Sequence, residues 1–227
     1  MKYEITIKDN YNDVEVNTFF REVIENFAKE SFAFYEEWGE FPFVYRERQV
    51  NSALIPAIYR YTNTIWLEQP FKNDNDGQRF LDMVTAKENN IYLIELKHTF
   101  NSKTQKIDER TWKEWDTAIE QIFTIKYSTL GNYYSDNSTI YKVALMIMPQ
   151  YLNCTRPIDE SLSVYNEHIY QMFTDKNELH ENGYANLVGT IKINESDKYP
   201  HEWCDKTQIY PFVTFIARIE SVLEESK

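Results

Sequence analysis

Asp82, Glu95 and Lys97 are the residues whose types and spacing could do chemistry. They lie in the stretch RFLDMVTAKENNIYLIELKHTF, Arg79 to Phe100. Two β-like runs, Arg79–Ala86 and Ile91–His98, flank the polar turn Lys87-Glu88-Asn89-Asn90. Read as a four-residue hairpin loop, that turn sets Ala86 opposite Ile91, Val84 opposite Leu93 and Asp82 opposite Glu95. Lys97 follows two residues on and shares Glu95's face. Two carboxylates directly opposite have Cβ atoms about 5 Å apart and repel. The run around them, Ile91, Tyr92, Leu93, Ile94 and Leu96, is apolar on both faces, as in a strand covered on both sides. Carboxylates so placed need a compensating cation or must hold protons. Mg²⁺ takes one or two carboxylates and keeps several waters. A metal ion that activates water, with a lysine ammonium beside it, is a device for hydrolysing a phosphodiester.

The set resembles the PD-(D/E)XK nuclease superfamily, the restriction-endonuclease-like fold. Asp82 matches its first acidic position and Glu95-Leu96-Lys97 its E-x-K, with Leu81 where the family's pattern has proline. The resemblance implies a Mg²⁺- or Mn²⁺-dependent nuclease acting on nucleic acid, with DNA the expected polymer. Asp82, Glu95 and the Leu96 carbonyl would hold the metal, and Lys97 would orient or activate water. A glutamate on the preceding helix often completes such a site. Glu47 fits that role, against the plainer reading of a first-turn carboxylate favoured by the helix dipole. Gln121, on the following helix, corresponds to a glutamine near the scissile phosphate, or to a solvent-facing amide. The stricter pattern with tyrosine four residues later fails, because that position is Ile125. Arg46, Arg48, Arg79, Lys103 and Lys106 flank the set as candidate phosphate contacts, diluted by Asp108 and Glu109. Glu68 could serve as a substitute acidic ligand, against the plainer and preferred reading of a strand-end charge, and His98, alternating to the other face, reads as a hydrogen-bonded structural histidine rather than a catalytic one. A structural Asp82–Lys97 ion pair is the rival reading of the triad, but charge in so apolar a strand is costly.

The elements that must position these residues follow from periodicity. Tyr3, Ile5 and Ile7 alternate as a short strand. A helix spans about Asn17–Trp38, ended by Gly39 and Pro42, and a second spans about Val44–Tyr59, bent or shortened at Pro56. Thr64–Glu68 reads as a strand, Pro70–Gly77 as a loop, and the hairpin comes next. A helix follows from about Ile107 to Tyr127, with Trp112 and Trp115 on its core face, then the loop Leu130–Ser138 and a buried strand Ile140–Met148. Pro157 and Asp159 open a helix to about Phe173, Asn186–Ile193 alternates as a strand, and Pro211 starts a final helix carrying Phe212, Phe215, Ile216, Ile219 and Leu223. The expected class is α/β. The order helix, three strands, helix, strand is the αβββαβ core of the resembling fold, with a central mixed sheet over about 44–148. The N-terminal helix and a C-terminal α/β part are additions within one domain, 1–227.

Composition narrows the partners. The 227 residues carry a net charge of −12, which opposes a strong non-specific hold on nucleic acid and calls for a focused basic groove or a helping partner. The two cysteines, Cys154 and Cys204, are too few for a disulfide framework or a zinc site, and His201 with Cys204 reads as ordinary packing. No apolar run reaches membrane-spanning length and MKYEITIKDN lacks a signal peptide's apolar region, so no membrane partner and a cytoplasmic location are expected. Cleaving both strands of a duplex would favour a homodimer. Two alternatives stand: a non-catalytic nucleic-acid- or protein-binding module on the same fold, and a metal hydrolase of small phosphoesters.

Overall fold

The computed structural model describes residues 2–72, 78–102, 106–126, 137–153, 160–174 and 184–222. The chain is an α/β protein. Its elements run β1 (Tyr3–Asp9), α1 (Val14–Trp38), a 3-10 turn (Pro42–Val44), α2 (Glu47–Thr62), β2 (Ile65–Lys72), β3 (Gln78–Lys87), β4 (Asn90–His98), α3 (Glu109–Phe123), β5 (Thr139–Leu152), α4 (Leu162–Thr174), β6 (Leu187–Ile193), β7 (His201–Trp203) and β8 (Lys206–Val222). One mixed eight-stranded sheet has the order β1-β6-β8-β5-β4-β3-β2, with β7 added on β8. Among the described strands β4 and β5 pair in parallel, with α3 in the crossover between them, and the remaining strand pairs are antiparallel.

Each face of the sheet is closed by helices. α1 and α2 cover one face through Phe20, Ile24, Phe27, Val50 and Leu54, against Ile94, Leu96, Val143 and Leu145. α3 and α4 cover the other through Trp115, Ile119, Tyr165 and Ile169, against Leu93, Ala144 and Met146. The α1 frame is set locally. Asp13 accepts the Glu15 and Val16 N–H groups at 3.0 and 3.1 Å, and Gly39 ends the helix in the left-handed region at φ +72°. α2 continues through Pro56 to Thr62 instead of stopping there. Proline leaves only the Ser52 carbonyl without its helical donor, and Ser52 is exposed to water.

The end of the chain departs from its sequence pattern. Pro211 starts no helix; it lies inside β8, the strand between β6 and β5. Ile209, Phe212, Val213, Phe215, Ile216, Ala217 and Ile219 are all essentially inaccessible. A strand covered on both faces loses its period-two signal, and its apolar positions then also satisfy helical spacing. Pro211 costs the ladder nothing, because pairing with β6 ends at Phe212 and the β5 register shifts between Gln150 and Leu152. The C-terminal part is therefore no appendage: β8 pairs along β5 from Ile140 to Leu152. The expected start at Pro157 and Asp159 of the helix that is observed as α4 lies outside the described residues, as do Cys154, Leu223 and most of the loops Pro70–Gly77 and Leu130–Ser138.

Candidate active site

The β3–β4 hairpin builds the site. Its loop is two residues, Glu88 and Asn89, not four, because Lys87 pairs with Asn90; Glu88 takes φ +54° to make the turn. Ala86 pairs with Ile91, Val84 with Leu93 and Met83 with Ile94, so the register is the expected one. The ladder stops one step before Asp82 and Glu95. There the Asp82 side chain takes over, its Oδ2 accepting the Leu96 N–H at 2.8 Å. Next door, β5 offers Ala144 beside Glu95 and Met146 beside Lys97. The small alanine leaves room for the carboxylate.

Glu95 is 5 % exposed, and its Oε1 accepts a hydrogen bond from Lys97 Nζ at 2.8 Å. Lys97 Nζ also donates to the Leu96 carbonyl at 3.2 Å. An ion pair alone would lower Glu95's pKa. Burial and the adjacent Asp82 charge outweigh Lys97 and push it up to about 7. Burial works against the Lys97 cation, yet the bond and charge of Glu95, with Asp82 and Glu47 behind, hold its pKa above the ordinary value. The pocket is thus short of positive charge, and a stronger cation there would favour the ionised form of Glu95.

Glu47 enters from the first turn of α2. Burial raises its pKa, opposed by Lys97 and reinforced by Asp82 and Glu114, while the His98 backbone N–H bonds to its carboxyl. His98 faces away from Glu95, as alternation requires. Its Nε2 donates to the Phe43 carbonyl at 3.1 Å, and burial drops its pKa to about 4, so the ring is neutral. That bond ties β4 to the turn preceding α2 and so positions Glu47.

Asp82, Glu95, Leu96, Lys97 and Glu47 are therefore neighbours. Arg46 and Arg48 bracket Glu47 and are exposed, as are Arg79 and Lys106; Lys103 lies outside the described residues. Gln121 is exposed near the C-terminal end of α3, two turns beyond Glu114, with no side-chain bond to the carboxylates. Glu68 does not end β2, which continues to Lys72; it sits within the strand at φ +50°, skipped by the ladder. Glu114 is the member that sequence reasoning missed. Its one signal is its place three residues after Thr111, which is buried and bonded to Thr99 at 3.1 Å just beyond β4. His201 is buried, with Nδ1 bonded to Glu40 at 2.6 Å, whereas Cys204 is exposed.

The donors available to a cation are Asp82, Glu95 and the Leu96 carbonyl. All are oxygen, the set hard divalent ions prefer. Among the described residues, no three His, Cys, Asp or Glu side chains form a group spaced to hold an ion. An ion that takes one or two carboxylates and keeps several waters would ask no more of these residues than those donors. No helix among the described residues is long and apolar enough to cross a membrane. No family model, curated protein or solved structure matches the chain.

Proposed function

We propose that the chain is a Mg²⁺- or Mn²⁺-dependent nuclease of the PD-(D/E)XK type, hydrolysing phosphodiester bonds of nucleic acid, with DNA as the first polymer to test. One observation carries the reading: Asp82 and Glu95 meet in a buried apolar setting, Glu95 is held up to about 7, and Lys97 is bonded to it. The element order α2, β2, β3, β4, α3, β5, with β4 and β5 parallel, agrees with the αβββαβ order that the resemblance implies.

Asp82, Glu95 and the Leu96 carbonyl would hold the ion, which supplies positive charge opposite the phosphate oxygens. Lys97 directs its ammonium into the same space. It can donate to the attacking water or to a non-bridging phosphate oxygen where negative charge develops. Glu47, with its raised pKa, stands ready to take the proton that water loses. The water oxygen forms a bond to phosphorus as the opposite P–O bond breaks, and the leaving oxygen ends protonated. The dry setting strengthens each of these interactions.

The net charge of −12 favours a second reading, a binding module that does not cleave. One pair of measurements separates them: calorimetric titration with Mg²⁺ and Mn²⁺, and cleavage of linear and circular DNA. Wild type should bind the ion and cut. Asp82→Asn should do neither while remaining folded. Lys97→Ala should keep the ion and lose about 10²–10³-fold in rate. Absence of ion binding by wild type with DNA present would sink the nuclease reading.

A further inference from the structure

Lys97 folds back on its own strand. Its Nζ donates to Glu95 Oε1 at 2.8 Å and to the Leu96 carbonyl at 3.2 Å. These are two of the three oxygen donors available to a divalent ion. Asp82, the third, approaches the same residue, its Oδ2 accepting the Leu96 N–H at 2.8 Å. The N–H and C=O of one strand residue point to the same edge of the strand. Both Leu96 groups therefore face β3, just past the point where the β3–β4 ladder ends. A carboxylate takes one of them and the ammonium takes the other.

The ammonium thus sits where the donors converge. The Lys97 side chain is 13 % exposed and the Glu95 side chain 6 %, so water does little to screen the pair. Asp82 and Glu47 add their charges to that of Glu95 around the same nitrogen. An ammonium holds oxygens at about 2.7–2.9 Å, whereas Mg²⁺ draws its ligands to about 2.0–2.1 Å. A divalent ion against Glu95 Oε1 and the Leu96 carbonyl would press on Nζ, and like charges so close repel, most of all where water is excluded. Lysine suits a cation that must leave, being a point charge on a flexible four-carbon stem. An arginine fork would lock onto the carboxylate through two bonds.

We propose that the Lys97 ammonium stands in for the divalent ion, holding the cation position in the ion-free protein and leaving it when the ion binds. The inference rests on the nuclease reading for the identity of the donors and on the two Lys97 bonds for its geometry. Until the ion arrives, Lys97 balances Glu95 and keeps the donor set together. Once displaced, its stem carries the ammonium to the substrate side of the site, where it can donate to water or to a phosphate oxygen. Ion affinity is then set by competition with a charge the protein itself supplies.

The experiment has two arms, both without nucleic acid. In the first, wild-type protein is treated with an acetylating ester with and without Ca²⁺ or Mg²⁺, and modification is read by peptide mass spectrometry, with the exposed Lys29 and Lys198 as controls. Lys97 should be protected without ion and gain about fivefold or more in modification with it, in step with ion binding measured by calorimetry. The controls should not change. In the second arm, Mg²⁺ is titrated into Lys97→Met at pH 9, to keep Glu95 ionised. An ammonium that fills the site nine tenths of the time raises the apparent Kd about tenfold, so the variant should bind Mg²⁺ about tenfold more tightly than wild type. Ion binding that leaves Lys97 protected overturns the stand-in, as does an unchanged or weaker Kd in Lys97→Met, and the nuclease reading survives both results. If the ion exposes Lys97 but neither DNA nor RNA is cut in Mg²⁺ or Mn²⁺, the stand-in holds and the nuclease reading fails. If neither wild type nor Lys97→Met binds an ion, both are overturned.

Discussion

Asp82→Asn should stabilise the metal-free protein above neutral pH while abolishing ion binding. Asparagine keeps an oxygen to accept the Leu96 N–H, so the hairpin contact survives. It removes a charge that repels Glu95 and Glu47 and attracts Lys97, so two repulsions go for one attraction, and Lys97 keeps its 2.8 Å bond to Glu95. Raising Glu95 from 4.5 to about 7 corresponds to about 3 kcal/mol of penalty on its ionised form. Burial is the larger cause and Asp82 the second, so the share released is about 1 kcal/mol. Two charges about 5 Å apart at an effective dielectric of about 20 set a ceiling near 3 kcal/mol. For a chain of this size the gain is about 2–4 °C in Tm.

The sign depends on pH. With its folded pKa raised, Glu95 binds more protons in the native state than in the unfolded one. Its contribution to stability therefore falls as pH climbs from about 4.5 to about 7 and is flat above. The gain should be full at pH 8 and vanish by pH 5, where native Glu95 is protonated and the repulsion is gone. His98 acts oppositely over nearly the same window. Its folded pKa is lowered from 6.5 to about 4, so its contribution is present above 6.5 and lost as pH falls toward 4. The two slopes offset in wild type, and the difference between wild type and Asp82→Asn removes the His98 contribution and leaves the groups that feel Asp82's charge, chiefly Glu95 with Glu47 beside it. The assay is thermal unfolding in EDTA at both pH values, repeated with Mg²⁺. An ion at ten times its Kd adds about 1.4 kcal/mol to wild type alone, enough to cancel the variant's lead. Loss of stability by Asp82→Asn at pH 8 in EDTA, or an equal gain at pH 5, refutes the reasoning.

Other consequences are structural. Asn186 donates to the Ile219 carbonyl at 2.8 Å and accepts the Ile219 N–H at 2.9 Å, so Asn186→Ala leaves two buried β8 groups unsatisfied. It should cost about 2–4 kcal/mol in denaturant unfolding at unchanged m-value. A Cβ on Gly189 would come within 2.5 Å of Ile24 Cδ1 and 3.2 Å of Ile7 Cγ1. Gly189→Ala should cost about 1–3 kcal/mol, and Gly189→Ala with Ile24→Val should recover part of it. His98 should stay neutral in an NMR titration down to about pH 5; a midpoint near 6.5 would contradict its burial against the Phe43 carbonyl.

Local chemistry made the hairpin legible. Lys87 through Asn90 could only be a turn between two apolar runs. Residues equidistant from a tight turn pair regardless of its length, so the register survived a loop two residues shorter than expected. The helical stripe of α1 and the alternation of β1 are equally local. Glu95 and Lys97 stood out because charge inside a strand as apolar as Ile91–Leu96 demands a reason.

What the tertiary structure decided is non-local. Phe212, Phe215, Ile216 and Ile219 fit a helical face, and only their placement between β6 and β5 selects a strand, because burial on both sides erases the alternation that marks one. Glu114 joins the site because α3 packs against β4 and β5, a contact between elements that no spacing within α3 encodes. The His98–Phe43 bond spans 55 residues of sequence and positions Glu47. The electrostatics are tertiary as well. A carboxylate in sequence has an ordinary pKa, and Glu95 reaches about 7 only because the packed sheet excludes water and holds Asp82 against it. Sequence thus determined which residues could act and which local elements carry them, since propensity and periodicity are short-range. Burial and the meeting of distant charges required the assembled chain.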